Sequence, residues 1–199
     1  DSVNFAQPNS FGTILTKFDF NGILQWAKVS GYPNSGSHGY SLVSDIYENI
    51  YFVSAFSDSA IFDSTTIYHS GSIGNGDIDF VKYDKSGNFK WVKQSNCSGV
   101  AIGDDVAIDT NNIIYITGKF KGNAQFGSFA ISSTNGPPSQ NNYDALIAAY
   151  DTAGTCLGVD HFGYAEGVNL MIDNSNNPIL FGRFYNTVNI GSNAFTAMG

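Results

Sequence analysis

Carboxylates are the chemically capable groups this chain carries in number: fifteen Asp and two Glu, Glu48 and Glu166. Their spacing is regular. Asp45, Asp109 and Asp173 stand 64 residues apart, and Asp19, Asp84 and Asp151 recur at nearly that interval. Asp173, Ser175 and Asn177 offer oxygens at alternate positions, as a calcium loop does. A full calcium loop carries more carboxylates and closes on a bidentate Glu. This segment does neither, so the stronger expectation is that each Asp accepts the backbone N–H groups of a tight turn. The Asp-x-x-Gly spacing of the second set is a turn signature of the same kind.

A further row, Ser41, Asp105 and Asn169, also repeats at 64 residues and is short and polar throughout. Asp104 beside it makes the densest acid pair, with Asp77 and Asp79 a second pair on a Gly-rich stretch. A hydrated entrance is the plainer expectation where the starts of the equivalent segments converge, with a ligand or cation site as the alternative.

The other reactive types give less. His38, His69 and His161 fall at unrelated repeat positions with no Cys/His cluster, which argues against zinc. His161 follows Asp160, but no Gly-x-Ser-x-Gly elbow accompanies them, and a surface loop is expected there. The Gly71-SIGNGD segment lacks the Lys and the following helix that a phosphate loop needs. Cys97 and Cys156 occupy non-equivalent positions and are expected to be isolated thiols rather than a disulfide framework.

The elements that would carry these residues follow from the same period. Three versions of one pattern read Asp45-IYENIYFVSA-Phe56, Asp109-TNNIIYITGK-Phe120 and Asp173-NSNNPILFGR-Phe184. Each has an Asp, a turn, an apolar strand, a small residue and a Phe. A second pattern joins two strands through a Gly-containing turn: Phe18-Asp19-FNGILQ-Trp26, Tyr83-Asp84-KSGNFK-Trp91 and Tyr150-Asp151-TAGTCL-Gly158, the third copy without its Trp.

Each unit therefore predicts four strands. They fall near 41–45, 105–109 and 169–173 (a); 50–54, 113–117 and 178–182 (b); 13–18, 79–83 and 145–150 (c); and 23–29, 88–93 and 155–159 (d). The a–b and c–d links read as tight hairpins. The b–c link has room for an extra short strand, Ile61 to Tyr68 in one copy and Phe126 to Ile131 in the next. A repeated four-stranded antiparallel unit predicts an all-β fold of β-propeller type, with a solenoid or tandem sandwiches as alternatives. The blades would be residues 31–94 and 95–160, with half blades at 1–30 (strands c–d) and 161–199 (strands a–b). The N-terminal hairpin would complete the C-terminal one to give three blades. Three cannot readily close a ring, so the expectation is part of a larger propeller, or two copies forming six blades. In that frame the row Ser41, Asp104, Asp105 and Asn169 lines the mouth of a central channel. The recurring Trp26, Trp91, Phe56, Phe120 and Phe184 pack between sheets. The non-recurring Tyr32, Tyr40, Tyr68, Tyr143, Tyr164 and Tyr185 are left to touch a partner or glycan.

The blocks Asp109-TNNIIYITGKF and Phe80-VKYDKSGNFKW resemble the SBBP repeats of secreted and surface bacterial β-propellers. The resemblance runs over nearly the whole chain. It implies the propeller fold, an extracellular or cell-surface location, and no catalytic residue.

Composition sets the outer limits. Net charge is −8 with one Arg in 199 residues, a poor match to phosphate backbones, so nucleic acid is not expected as a partner. No run of eighteen apolar residues suggests a membrane span, and no charged-then-apolar leader is visible. Ser2, Ser59 and Thr152 stand in Asp-Ser/Thr-small tripeptides similar to a bacterial O-glycosylation pattern. The leading expectation is a non-enzymatic interaction or display scaffold without a resident cofactor. Its partners would be protein domains, subunits or surface glycans. The alternatives are a lectin-like propeller binding glycan or Ca²⁺ at the channel mouth, and a hydrolase or lyase on the same platform.

Overall fold

The computed structural model describes residues 11–32, 38–71, 76–134 and 143–197. These residues form eighteen antiparallel strands and no helix. Strands β1 (Phe11–Phe18) and β2 (Leu24–Tyr32) form a hairpin. Next come β3 (His38–Ser44), β4 (Ile50–Phe56), β5 (Ser59–Phe62), β6 (Thr65–Tyr68), β7 (Asp77–Tyr83) and β8 (Phe89–Gln94). The same series repeats as β9 (Val100–Ile108), β10 (Ile114–Lys121), β11 (Asn123–Phe126), β12 (Phe129–Ser132), β13 (Asp144–Tyr150) and β14 (Cys156–Phe162). It begins again as β15 (Ala165–Ile172), β16 (Pro178–Phe184), β17 (Thr187–Ile190) and β18 (Asn193–Thr196).

Two sheets are complete, with orders β3-β4-β7-β8 and β9-β10-β13-β14. Their second and third strands pair without a register shift, Ile50 opposite Tyr83 in one and Ile114 opposite Tyr150 in the other. The b–c link holds a two-stranded hairpin rather than one strand. That hairpin joins the preceding unit: β5 meets β2 at Ile61 and Gly31, giving a sheet β1-β2-β5-β6. Likewise Gln125 N donates to Ser95 O at 2.7 Å, placing β11 beside the end of β8. The β15–β16 hairpin is a separate two-stranded sheet, so β1–β2 does not complete it here.

The six Asp-led turns of the a–b and c–d hairpins share one solution. The leading Asp accepts the backbone N–H groups two and four residues on through Oδ1, at 2.8–2.9 Å, in Asp19, Asp45, Asp84, Asp109, Asp151 and Asp173. The residue three after each Asp has φ between 62° and 81°, a left-handed conformation. It is Gly in the c–d turns and Asn112 or Asn176 in two a–b turns, types that tolerate it. Glu48 occupies the same position with φ 62° and gains an ion pair with Lys17 at 2.8 Å.

Alternation along the strands fills both faces of the complete sheets. On β4, Tyr51 and Val53 face a core shared with Phe80, Ile114, Ile116 and Phe120. Phe52 and Phe56 face the opposite way, onto Phe62 and Tyr83 with Leu15 packed against them. The recurring Trp residues join successive units. A Cβ on Gly87 would lie 2.9 Å from the Trp26 ring, and one on Gly154 would lie 3.1 Å from the Trp91 ring. Each indole thus lies flat on the next unit's turn glycine, and Trp26 Nε1 donates to Lys85 O at 3.1 Å. At Gly158, where the Trp is lost, a Cβ would meet open space.

Candidate functional site

The first strands of successive units, β3, β9 and β15, share one irregularity. The register shifts between Gly39 and Ser41, opposite Gly103–Asp105, and between Gly167 and Asn169. Each is a β-bulge whose extra residue is Tyr40, Asp104 or Val168, again 64 apart. Bulges re-aim side chains and cluster beside functional sites. The glycine before each bulge permits close approach. A Cβ on Gly103 would sit 2.2 Å from Val53 of β4, and one on Gly167 would sit 2.2 Å from Thr117 of β10. The row Ser41, Asp105 and Asn169 follows immediately, and the recurring Gly39, Gly103 and Gly167 are the sequence signal of the bulge that the sequence reading did not use.

Asp105 is the tie across this row. Its Oδ1 accepts Ser41 Oγ and Val106 N, and its Oδ2 accepts Leu170 N at 2.7 Å. One carboxylate therefore links three successive first strands, and both its oxygens are committed to donors of this chain. Asn169 is exposed at the same level.

Asp104 faces a charged network that the sequence reading missed. Glu166 of β15 accepts Lys119 Nζ at 2.8 Å, Arg183 Nη2 at 2.8 Å and Arg183 Nε at 3.2 Å on Oε2. Tyr185 OH donates to its Oε1 at 2.9 Å. Lys119 also lies over the Tyr143 ring, 5.3 Å from its centroid and inside the cation–π limit of about 6 Å. Signals for this cluster were present. It gathers the chain's one Arg and one of its two Glu, and Lys119 and Arg183 stand 64 apart, each before a repeat Phe.

The electrostatics follow from burial and neighbours. Burial pushes the Asp104 carboxyl up to about 6, Lys119 pulling against it and Glu166 adding to it. Burial also pushes Glu166 up, but hydrogen bonds from Lys119, Arg183 and Tyr185 outweigh it and hold the carboxyl below its usual value. Burial opposes the Lys119 charge, and Glu166 more than restores it. The Tyr40 phenol is raised by burial first and by the Asp104 charge second. The cluster therefore presents fixed charges of both signs beside one acid that changes state near pH 6. It holds no activated nucleophile.

The other anticipated residues fall elsewhere. Asp77 and Asp79 are not on a loop: they open β7 and are fully buried. Asp77 accepts Ser70 N, Ser95 Oγ and Cys97 N and pairs with His69 Nδ1 at 2.9 Å, pinning the end of the b–c link. His161 lies on β14, not on a loop, and its ring pairs with Asp144 at 3.0 Å rather than with Asp160. Asp173 spends Oδ1 on Ser175 N and Asn177 N and Oδ2 on the Asn177 side-chain amide, so its calcium-loop oxygens are met by donors of the turn. Among the described residues no three His, Cys, Asp or Glu side chains converge as a metal site. Cys97 and Cys156 are buried free thiols. Ser59 is buried in β5, with no room for a glycan. Thr152 is half-buried with its carbonyl accepting Lys82 Nζ, and Ser2 lies outside the described residues. The side chains of His38 and Tyr32 are likewise outside the description.

No protein-family model matches the chain. It is similar to the Uncharacterized WD repeat-containing protein L264 of Acanthamoeba polyphaga mimivirus, with 29% identity over 87% of this chain. That alignment covers 14% of the viral protein, so the chain spans about a seventh of the relative it matches.

Proposed function

We propose that the chain is a β-propeller module of four-stranded blades that serves as a non-enzymatic protein-interaction scaffold, docking its partner on the bulge rim. The observation that carries the reading is the repeated unit itself. Two successive sheets share strand order, register, turn chemistry and a bulge, and a Trp of each hairpin rests on the turn glycine of the next. A similar stretch in a WD repeat-containing protein supports the propeller and a protein partner. The partner surface is the rim of Tyr40, Asp104, Lys119, Arg183 and Tyr185, held by the buried Glu166, where aromatic and Arg side chains of the kind that anchor interfaces sit beside paired charges. The extracellular setting belongs to this reading through the SBBP resemblance.

The test is interaction mapping. A partner isolated on the immobilised chain from the source cells is expected to cross-link to the rim and to lose affinity at least tenfold on Arg183→Ala with Tyr40→Ala. Full retention by that double variant, with cross-links confined to other surfaces, contradicts the proposal.

A further inference from the structure

The bulge rim holds one charged group to which the described residues give no hydrogen bond. Asp104 is the extra residue of the β9 bulge and is half-buried. Its acidic neighbours are committed. Asp105 has its oxygens on Ser41, Val106 and Leu170, and Glu166 has its own on Lys119, Arg183 and Tyr185. The cations are engaged in turn, since Lys119 and Arg183 both donate to Glu166. Asp104 meets this network through charge and burial alone. Lys119 of β10 and Arg183 of β16 favour its ionised form, while Glu166 of β15 and Asp105 of β9 oppose it. On β3, Tyr40 lies close enough for the Asp104 charge to raise its phenol.

A carboxylate in that position is costly. Burial strips water from it and no donor takes the water's place. The chain treats its other buried acids differently: Asp45, Asp77 and Asp109 each accept two or more hydrogen bonds. The placement is specific to one unit, because Tyr40 and Val168 hold the same bulge position in the units on either side. It is also set in the middle of the molecule, where β9 packs between β3 and β15. Both Asp104 oxygens are therefore left for donors that come from outside the described chain.

We infer that Asp104 receives an arginine side chain of the partner docked on the rim. The inference deepens the scaffold reading and rests on it. Arginine fits because its planar fork offers two parallel N–H donors to two unoccupied oxygens, and it stays charged. The Tyr40 ring, 42% exposed, stands at the equivalent bulge of the adjacent strand and offers a face of the kind on which a guanidinium stacks. An acidic side chain would instead meet Asp104, Asp105 and a chain of net charge −8. Arginine and a proton compete for the same oxygens, so docking is linked to proton release.

The test uses the full chain with N-acetyl-arginine amide as the probe, followed by calorimetry and by NMR of the Asp104 carboxyl carbon. Saturable binding is expected at neutral pH, and none is expected for the uncharged isostere N-acetyl-citrulline amide. With the Asp104 carboxyl pushed up to about 6, affinity should fall about tenfold between pH 7 and pH 5 as the proton takes the site. Asp104→Asn keeps the side chain's size and should weaken binding about tenfold or more and remove the pH dependence. Absent arginine binding, equal binding of the citrulline probe, or an affinity that does not change between pH 7 and pH 5 overturns the inference. The isolated partner separates the two readings. A partner that cross-links to the rim and binds Asp104→Asn at full affinity refutes the arginine contact and keeps the scaffold, whereas one that docks elsewhere refutes docking on the rim and the arginine contact with it.

Discussion

The middle of this molecule and its two ends are built from the same pattern and differ in what each strand has beside it. Phe120 on β10 is fully buried, and Phe184, its equivalent on β16, is 40% exposed. Both follow a small residue and a cation in the sequence, Gly118-Lys119 and Gly182-Arg183. Burial here is set by the next strand rather than by the local sequence. The pattern specifies which face of a strand is apolar, and the neighbouring unit decides whether that face is covered.

The largest test of this contrast is a pair of truncations. Phe120→Ala removes a ring from the shared core and is expected to cost about 3–5 kcal/mol by denaturant titration. Phe184→Ala is expected to cost roughly 1 kcal/mol, since much of its ring already meets water. Equal costs would break the comparison by showing that the end is as well packed as the middle.

A second pair isolates the contact between units. Gly22 and Gly87 hold the same turn position with φ of 79° and 78°, but a Cβ on Gly22 meets nothing within 4 Å while one on Gly87 presses on Trp26. Gly22→Ala is expected to cost about 1 kcal/mol for the left-handed backbone alone. Gly87→Ala adds the displacement of the indole, for about 2 kcal/mol in all. Indistinguishable costs would mean the Trp–Gly stacking does not hold units together.

The rim gives a prediction in pH. The folded Asp104 carboxyl is raised to about 6 from 3.8 by burial, so the folded state binds this proton more tightly than the unfolded chain. Stability tied to Asp104 therefore falls as pH rises from about 4 to about 6 and stays lower above. Asp104→Asn is expected to raise the Tm at pH 7.5 and to flatten the pH profile in that window. An unchanged profile would remove Asp104 from the buried charge network.

The smallest expected effect concerns Glu48, the one a–b turn residue that is neither Gly nor Asn at φ 62°. Glu48→Gly relieves the left-handed strain and loses only an exposed ion pair with Lys17, for a small net gain in stability by denaturant titration. A loss of stability would show that the ion pair outweighs the backbone.

Much of this was legible because it is local and periodic. The six Asp-led turns, the strand positions and the packing of Trp26 and Trp91 follow from residues a few positions apart, repeated at one interval. What was not legible depends on pairing across the chain. The b–c hairpin reaches back to the preceding unit through Ile61 and Gly31, thirty residues apart, and no residue type marks that step. The Asp104–Lys119–Glu166–Arg183 cluster draws on four strands and is aimed by a bulge. Asp77 and Asp79 read as a loop pair because the flanking segment is Gly-rich, whereas serine, histidine and backbone donors let Asp77 lie in the interior, with Ser54 Oγ bonding Asp79. His161 read as a surface loop for a similar reason: its partner Asp144 is seventeen residues away on the adjacent strand, and nothing beside it in the sequence marks the pairing.

Hydrogen exchange, followed strand by strand, tests the central claim most directly. The amides of β4, β7, β10 and β13, each paired on both sides, are predicted to exchange only through global unfolding, while those on the unpaired edges of β1 and β16 exchange early. Uniform protection across all these strands would contradict an account in which burial is set by the neighbouring strand.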